Sequence, residues 1–271
     1  MAISSQRGRA VFTKMERQLQ RISSDLNPEA IHRFRTTSRR LQTLLEELLP
    51  ARSRNQKKLL QLLGPIRKRA GKVRDVDAQL GALRTLKSSQ EPRRKTQLLE
   101  SLIDLRTKHE KKLAKLLKHS DIKEIQRRTR KAGKEADFDA ARDPMTIARK
   151  LLESVAISAP PREDALHEYR LAVKHARYAA ELASASTETA QFIGHLKKLQ
   201  DALGHWHDWM LLTHVAVDHF GEINQSSLVA ALQNVTRGKF RQAVSALPGT
   251  VSPVDRKAVS VEHDRLAQPA A

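Results

Sequence analysis

The chain of 271 residues carries 50 Lys+Arg against 30 Asp+Glu, a formal net charge of +20 and a pI of about 10.6, which favours an anionic partner. It has no cysteine, which excludes disulfides, thiolate metal sites and a thiol nucleophile. No apolar run approaches the ~20 residues a membrane helix needs, and Met1 to Lys14 lacks the apolar core of a signal peptide, so a cytoplasmic protein with no membrane partner is expected.

Apolar residues recur with helical period nearly throughout and no strand alternation competes, so the fold class reads as all-α. A first helix is predicted over about 5–24. Asn27-Pro28 reads as N-cap and first helical residue and Pro50 as a stop, framing a helix over about 28–49 with Ile31, Phe34, Leu41, Leu45 and Leu48 as its buried stripe. The next helix covers about 53–86 with a break or kink at Gly64-Pro65. Another runs over about 92–119 and continues as a shorter one to about 132. Ala132 to Pro144 is the expected joint between the halves, and its Glu135-x-Asp137-x-Asp139 reads as an acidic surface loop in preference to a cation site.

The second half predicts helices over about 145–157, from Pro160-Pro161 to about Ala183, over 189–219 and over 224–246. Leu166, Tyr169, Val173, Ala176 and Ala180 face inward on the second of these, and their small size predicts close helix approach. Residues 247–271 read as a disordered tail. Short connections between amphipathic helices favour antiparallel bundles, with a first helical repeat over about 5–132 and a second over about 145–246 of one region spanning 5–246.

One pattern is written twice. His32-x-x-Arg35-x-x-x-Arg39 and His167-x-x-Arg170-x-x-x-Lys174 lie 135 residues apart, and each is followed by Gly-x-x-x-Asp, at Gly71/Asp75 and Gly204/Asp208. Positions i, i+3 and i+7 share a helix face, so each set projects as one cationic row, roughly a third of a turn from the apolar stripe. Arg177 extends the second row, where the first has Gln42, and Arg40 compensates there. Residues 1–150 hold 38 Lys+Arg against 17 Asp+Glu, whereas residues 151–271 hold 12 against 13, so the second row is a local placement of charge in a neutral half.

Each feature also has a plainer reading. A basic row is often only a solvated face, and a histidine beside an apolar stripe is often only packed or hydrogen-bonded. Asp75 is expected to pair with an arginine such as Arg35, and Asp208 likewise. Asp75 and Asp77, two apart on a helix, do not face one way and make a poor metal pair. Trp206 and Trp209 read as core anchors. No P-loop-type phosphate cradle or activated hydroxyl nucleophile is recognisable.

At IHRFRTTSRRLQ (31–42), AGKVRDVD (70–77), LHEYRLAVKHARYAAE (166–181) and LQDALGHWHD (199–208) the chain resembles the CHAD family, the conserved-histidine α-helical domains. The resemblance implies two helical bundles related by pseudo-twofold repetition around a central basic cleft or pore. It also implies binding of inorganic polyphosphate and collection on polyphosphate granules. Carried over residue by residue, it gives a ligand-facing set of His32, Arg35, Arg39, Arg40, Arg74, His167, Arg170, Lys174 and Arg177. The chain departs from the family pattern at Gln42, Ala70, His175 and Ala176. The Glu-x-Glu-x-Lys strand of the triphosphatase domain fused to some relatives is not found.

The expected function is therefore non-enzymatic binding of polyphosphate by a stand-alone module that needs no cofactor or metal. Nonspecific binding of RNA or DNA is the first alternative, disfavoured because only 4% of the chain is aromatic and base readers stack on exposed aromatics. A phosphohydrolase acting on polyphosphate is the second, and it would need a carboxylate metal cluster that the sequence does not show.

Overall fold

Helix starts follow the local chemistry. Asn27 accepts the Ala30 amide at 2.8 Å with Pro28 in the first turn, and Ser53 forms a reciprocal capping box with Gln56. In the computed structural model, which describes residues 3–50, 52–87, 91–155, 161–221 and 226–247, the described residues form nine α-helices. These are α1 (Ser5–Ser24), α2 (Pro28–Thr43), α3 (Arg54–Thr85), α4 (Pro92–Ala114), α5 (His119–Lys134), α6 (Pro144–Glu153), α7 (Glu163–Ala180), α8 (Thr187–Phe220) and α9 (Ser227–Ser245). Among the described residues, extended pairing is confined to one bridge between Ile3 and Ala183, which ties the start of α1 to the end of α7. The fold is all-α.

The expected stripes are buried. Ile31, Phe34, Leu41, Leu45 and Leu48 are fully enclosed, as are Leu166, Val173, Ala176 and Ala180, and Tyr169 nearly so. α2 continues into a π-helical turn over Leu44–Leu48, where Leu49 N–H bonds Leu44 C=O; the wider turn keeps Leu44, Leu45 and Leu48 all inward. Trp206 is enclosed edge-on to Phe240, while Trp209 packs half-buried on the second apolar cluster.

Several boundaries differ from the sequence reading. α3 runs unbroken through Gly64-Pro65. Proline deprives the Gln61 carbonyl of its helical donor, but both Gln61 and Pro65 are exposed, so solvent can satisfy it, while Leu59, Leu63, Ile66 and Ala70 bury the opposite side. α4 ends at Ala114, and α7 begins at Glu163 after the proline pair. The joint over 135–143 is tied down: Phe138 is buried against Gly8, and Asp137 accepts the amides of Asp139 and Ala140. Glu135 accepts from Ser53 and Asn55. The expectation of a disordered tail falls on residues 248–271, outside the described residues.

Packing repeats along the chain. α1 on α2, α2 on α3 and α3 on α4 are matched by α6 on α7, α7 on α8 and α8 on α9; α5 covers α1 and α3. The two sets meet where α2 packs on α7 and α3 on α8. A large apolar core draws on both sets. A smaller one joins Val76, Leu80, Leu83, Leu98 and Leu102 to Leu212, Ala216, Leu228, Val229 and Leu232.

Candidate functional site

Because α2 meets α7 and α3 meets α8, the two histidine-led rows and the two Gly-x-x-x-Asp segments come together. Arg35 of α2 lies within electrostatic reach of Arg170 and Lys174 of α7, Arg39 reaches His175, and His32 reaches Arg177. The rows are therefore parts of one cationic cluster. His32 and Arg74 also line an open hollow of about 660 Å³ beside α4, together with Arg84 and Arg106; the second row does not reach it.

Close approach is visible at Gly71. A Cβ added there would collide with Arg35 Nη1, so the glycine lets the guanidinium lie across α3. Gly204, its counterpart, has nothing within 4 Å and serves no such contact. Asp75 is the leading opposing charge for Arg35, without an ion pair to it within 4 Å, and with Asp208 it flanks Arg170, which is only 8% exposed. Asp77 points elsewhere, accepting Arg106 Nε at 2.7 Å, so the two aspartates do divide between faces.

Three of the expected ligand-facing cations already have partners. Arg40 Nε donates to Glu181 Oε2 at 2.6 Å, and Arg177 Nε stands 3.4 Å from Glu181 Oε1. Both guanidinium groups sit over the Tyr178 ring, at 5.9 and 5.8 Å from its centre. Arg39 donates to Gln42 Oε1 at 3.1 Å. Arg170 Nε is buried with no hydrogen-bond acceptor among the described residues, as is Arg177 Nε, which has only the ion pair with Glu181.

The structure adds residues that the motif alone does not mark. Arg67, one turn before Gly71 on α3, stands near Arg39, Arg35 and Glu46, and its buried Nη1 has no acceptor among the described residues. His207 stacks obliquely on His167 with ring centres 5.3 Å apart. It holds the same place after Gly204 that Arg74 holds after Gly71, so aligning the two Gly-x-x-x-Asp segments would have pointed to it. Arg67 had no such signal, since its counterpart is Gln200.

The cluster carries unmatched positive charge. Burial, reinforced by neighbouring cations, holds down the pKa values of His32, His167, His175 and His207. Burial likewise lowers those of Arg35, Arg67 and Arg170, against the pull of nearby carboxylates. Lys174 is affected most, brought down from 10.5 to about 7 by burial and then by Arg170, with Asp208 opposing. Partly buried bases that all lean toward losing protons mark a site where an anion would relieve desolvation and repulsion together.

The family model for the CHAD domain matches residues 6–216, a span that contains both rows and both Gly-x-x-x-Asp segments. Among solved structures, the crystal structure of the CHAD domain from the plant Ricinus communis aligns with a TM-score of 0.63 at 18% identity, over 99% of this chain and 93% of that one. This likeness is one of fold. No curated protein matches the chain.

Proposed function

Since the chain belongs to the CHAD domain family, we propose that it binds inorganic polyphosphate without chemically altering it, in a basic cleft where the α2 and α7 rows converge. The carrying observation is the meeting of the two histidine-led rows where α2 packs on α7, with Arg67 Nη1 and Arg170 Nε buried there and without an acceptor among the described residues. A linear polyanion with about one charge per phosphate offsets that repulsion at many points, and release of its condensed counterions adds affinity. Arg35, Arg39, Arg67, Arg74, Arg170 and Lys174 supply the contacts, with the guanidinium forks gripping phosphate oxygens in pairs. Cytoplasmic association with polyphosphate granules belongs to this reading, as does a pseudo-twofold relation between the two helical sets.

Polyphosphate is favoured over nucleic acid because the aromatic residues beside the cluster, Phe34, Tyr169 and Tyr178, are buried and offer no stacking surface. The test is competition between long-chain polyphosphate and single-stranded DNA at near-physiological salt, repeated with Arg35, Arg39, Arg170 and Lys174 changed to alanine. Polyphosphate should displace DNA from the native protein, and the variant should lose most of its affinity. Equal affinity for both polymers would overturn the choice of ligand, and an unaffected variant would overturn the site. Orthophosphate release on adding Mg²⁺ would make the protein a hydrolase instead.

A further inference from the structure

The cluster uses only part of the charge on α3. At 100° per residue, Arg69 and Lys72 lie roughly 140° to 200° around the helix from Arg67 and Arg74. They are exposed on the outside, next to α4. There Lys108 and Lys112 are also exposed, and all four cations bear on the half-buried His109 between them. None of the four is in an ion pair among the described residues, although acidic partners occupy Arg106 on the neighbouring face of α4. Further along α4, Lys111 and Lys115 are exposed as well.

We propose that this outer α3–α4 face, built from Arg69, Lys72, Lys108 and Lys112, is a second polyphosphate-binding surface directed away from the central cluster. The protein is then divalent and bridges separate polyphosphate segments. Lysines dominate the outer face, giving mobile point charges that suit a loosely held strand, whereas the central cluster is rich in arginine forks. Two sites that face apart let one molecule hold two polymer segments, so long chains are cross-linked, whereas an anion as short as tripolyphosphate reaches only one site at a time. The placement also gives a use to part of the excess charge of the first half, which the central cluster alone does not use. This inference rests on the proposed affinity for polyphosphate.

The test uses the full chain with two probes, tripolyphosphate and a long-chain polyphosphate preparation, and reads binding and light scattering. The variant Arg69→Glu, Lys72→Glu, Lys108→Glu, Lys112→Glu is compared with one of equal net charge, Arg9→Glu, Lys14→Glu, Arg17→Glu, Arg21→Glu on α1. The α3–α4 variant should keep tripolyphosphate affinity within about twofold but lose at least about tenfold in scattering with long chains, while the α1 variant keeps both. Equal scattering from all three proteins overturns the proposal, and so does equal loss in both variants, which would make net charge the sole cause. A central Arg35→Ala, Arg170→Ala variant separates the two readings. If it binds long chains as well as the native protein while the α3–α4 variant does not, the central reading fails and the outer surface stands.

Discussion

Arg40 and Glu181 meet at 2.6 Å across the junction of α2 and α7, and the relation is returned by their counterparts. His175 takes the place of Arg40 in the second copy and Glu46 that of Glu181 in the first, 135 residues away in each case, and His175 lies within electrostatic reach of Glu46. A reciprocal contact of this kind is what the proposed pseudo-twofold relation between the two helical sets would produce. The exchange is unequal in strength, because a permanently charged guanidinium has been kept on one side and a depressed histidine on the other. Glu181 consequently engages both Arg40 and Arg177.

Glu181→Gln should therefore weaken the fold while strengthening anion binding. A partly buried charge-assisted pair contributes about 1 kcal/mol. Urea denaturation should show a loss of that order, and the polyphosphate dissociation constant should fall roughly fivefold as two guanidinium groups become available. A fall in both stability and affinity would mean that Arg40 and Arg177 serve only the junction.

The two glycines offer a matched pair of substitutions. Gly71→Ala puts a methyl group where Arg35 Nη1 now lies, and the long arginine side chain can move aside, so the fold should survive while affinity drops severalfold. Gly204→Ala meets open space and should stabilise α8 by about 0.5–1 kcal/mol through helix propensity alone. Thermal melts and polyphosphate titrations on both variants decide this, and equal effects at the two positions would refute the contact assigned to Gly71.

Salt dependence reports the number of phosphates engaged. Arg35→Ala together with Arg170→Ala should reduce the slope of log K against log salt by about 0.7 for each phosphate that is no longer neutralised, the value for single-stranded polyanions. Titrations between 50 and 200 mM salt suffice. An unchanged slope with weaker binding would show that these arginines shape the cluster without touching the ligand.

How much could be read in advance follows from what periodicity encodes. The apolar stripes at Ile31–Leu48 and Leu166–Ala180 specify which faces are buried, and the repeated His-x-x-Arg-x-x-x-Arg/Lys spacing specifies which residues project together. Neither specifies partners between helices. The capture of Arg40 by Glu181 and the approach of Arg67 to Arg39 depend on how α2, α3 and α7 cross, which no local pattern records. Whether Pro65 breaks its helix is set in a similar way: a proline's effect depends on whether solvent faces the carbonyl it deprives, and that is a tertiary fact.

Lys174 makes the strongest pH prediction. Its pKa falls from 10.5 in an open environment to about 7 in the fold, so between those values the unfolded chain holds a proton that the folded protein lacks. Stability then rises with pH across that window; below pH 7 the folded protein carries the full cost of the buried charge. A bound polyanion favours the charged amine, so binding takes up a proton, and affinity should weaken as pH rises from about 7 toward 9. The histidines add to this only on the acid side, since each is depressed below its ordinary value of 6.5. Lys174→Met should remove the pH dependence between 7 and 9, bind polyphosphate more weakly and melt higher than the native protein at neutral pH without ligand. Calorimetry in two buffers of different ionisation enthalpy measures the proton uptake directly, and no uptake at pH 7.5 would show that Lys174 does not sense the ligand.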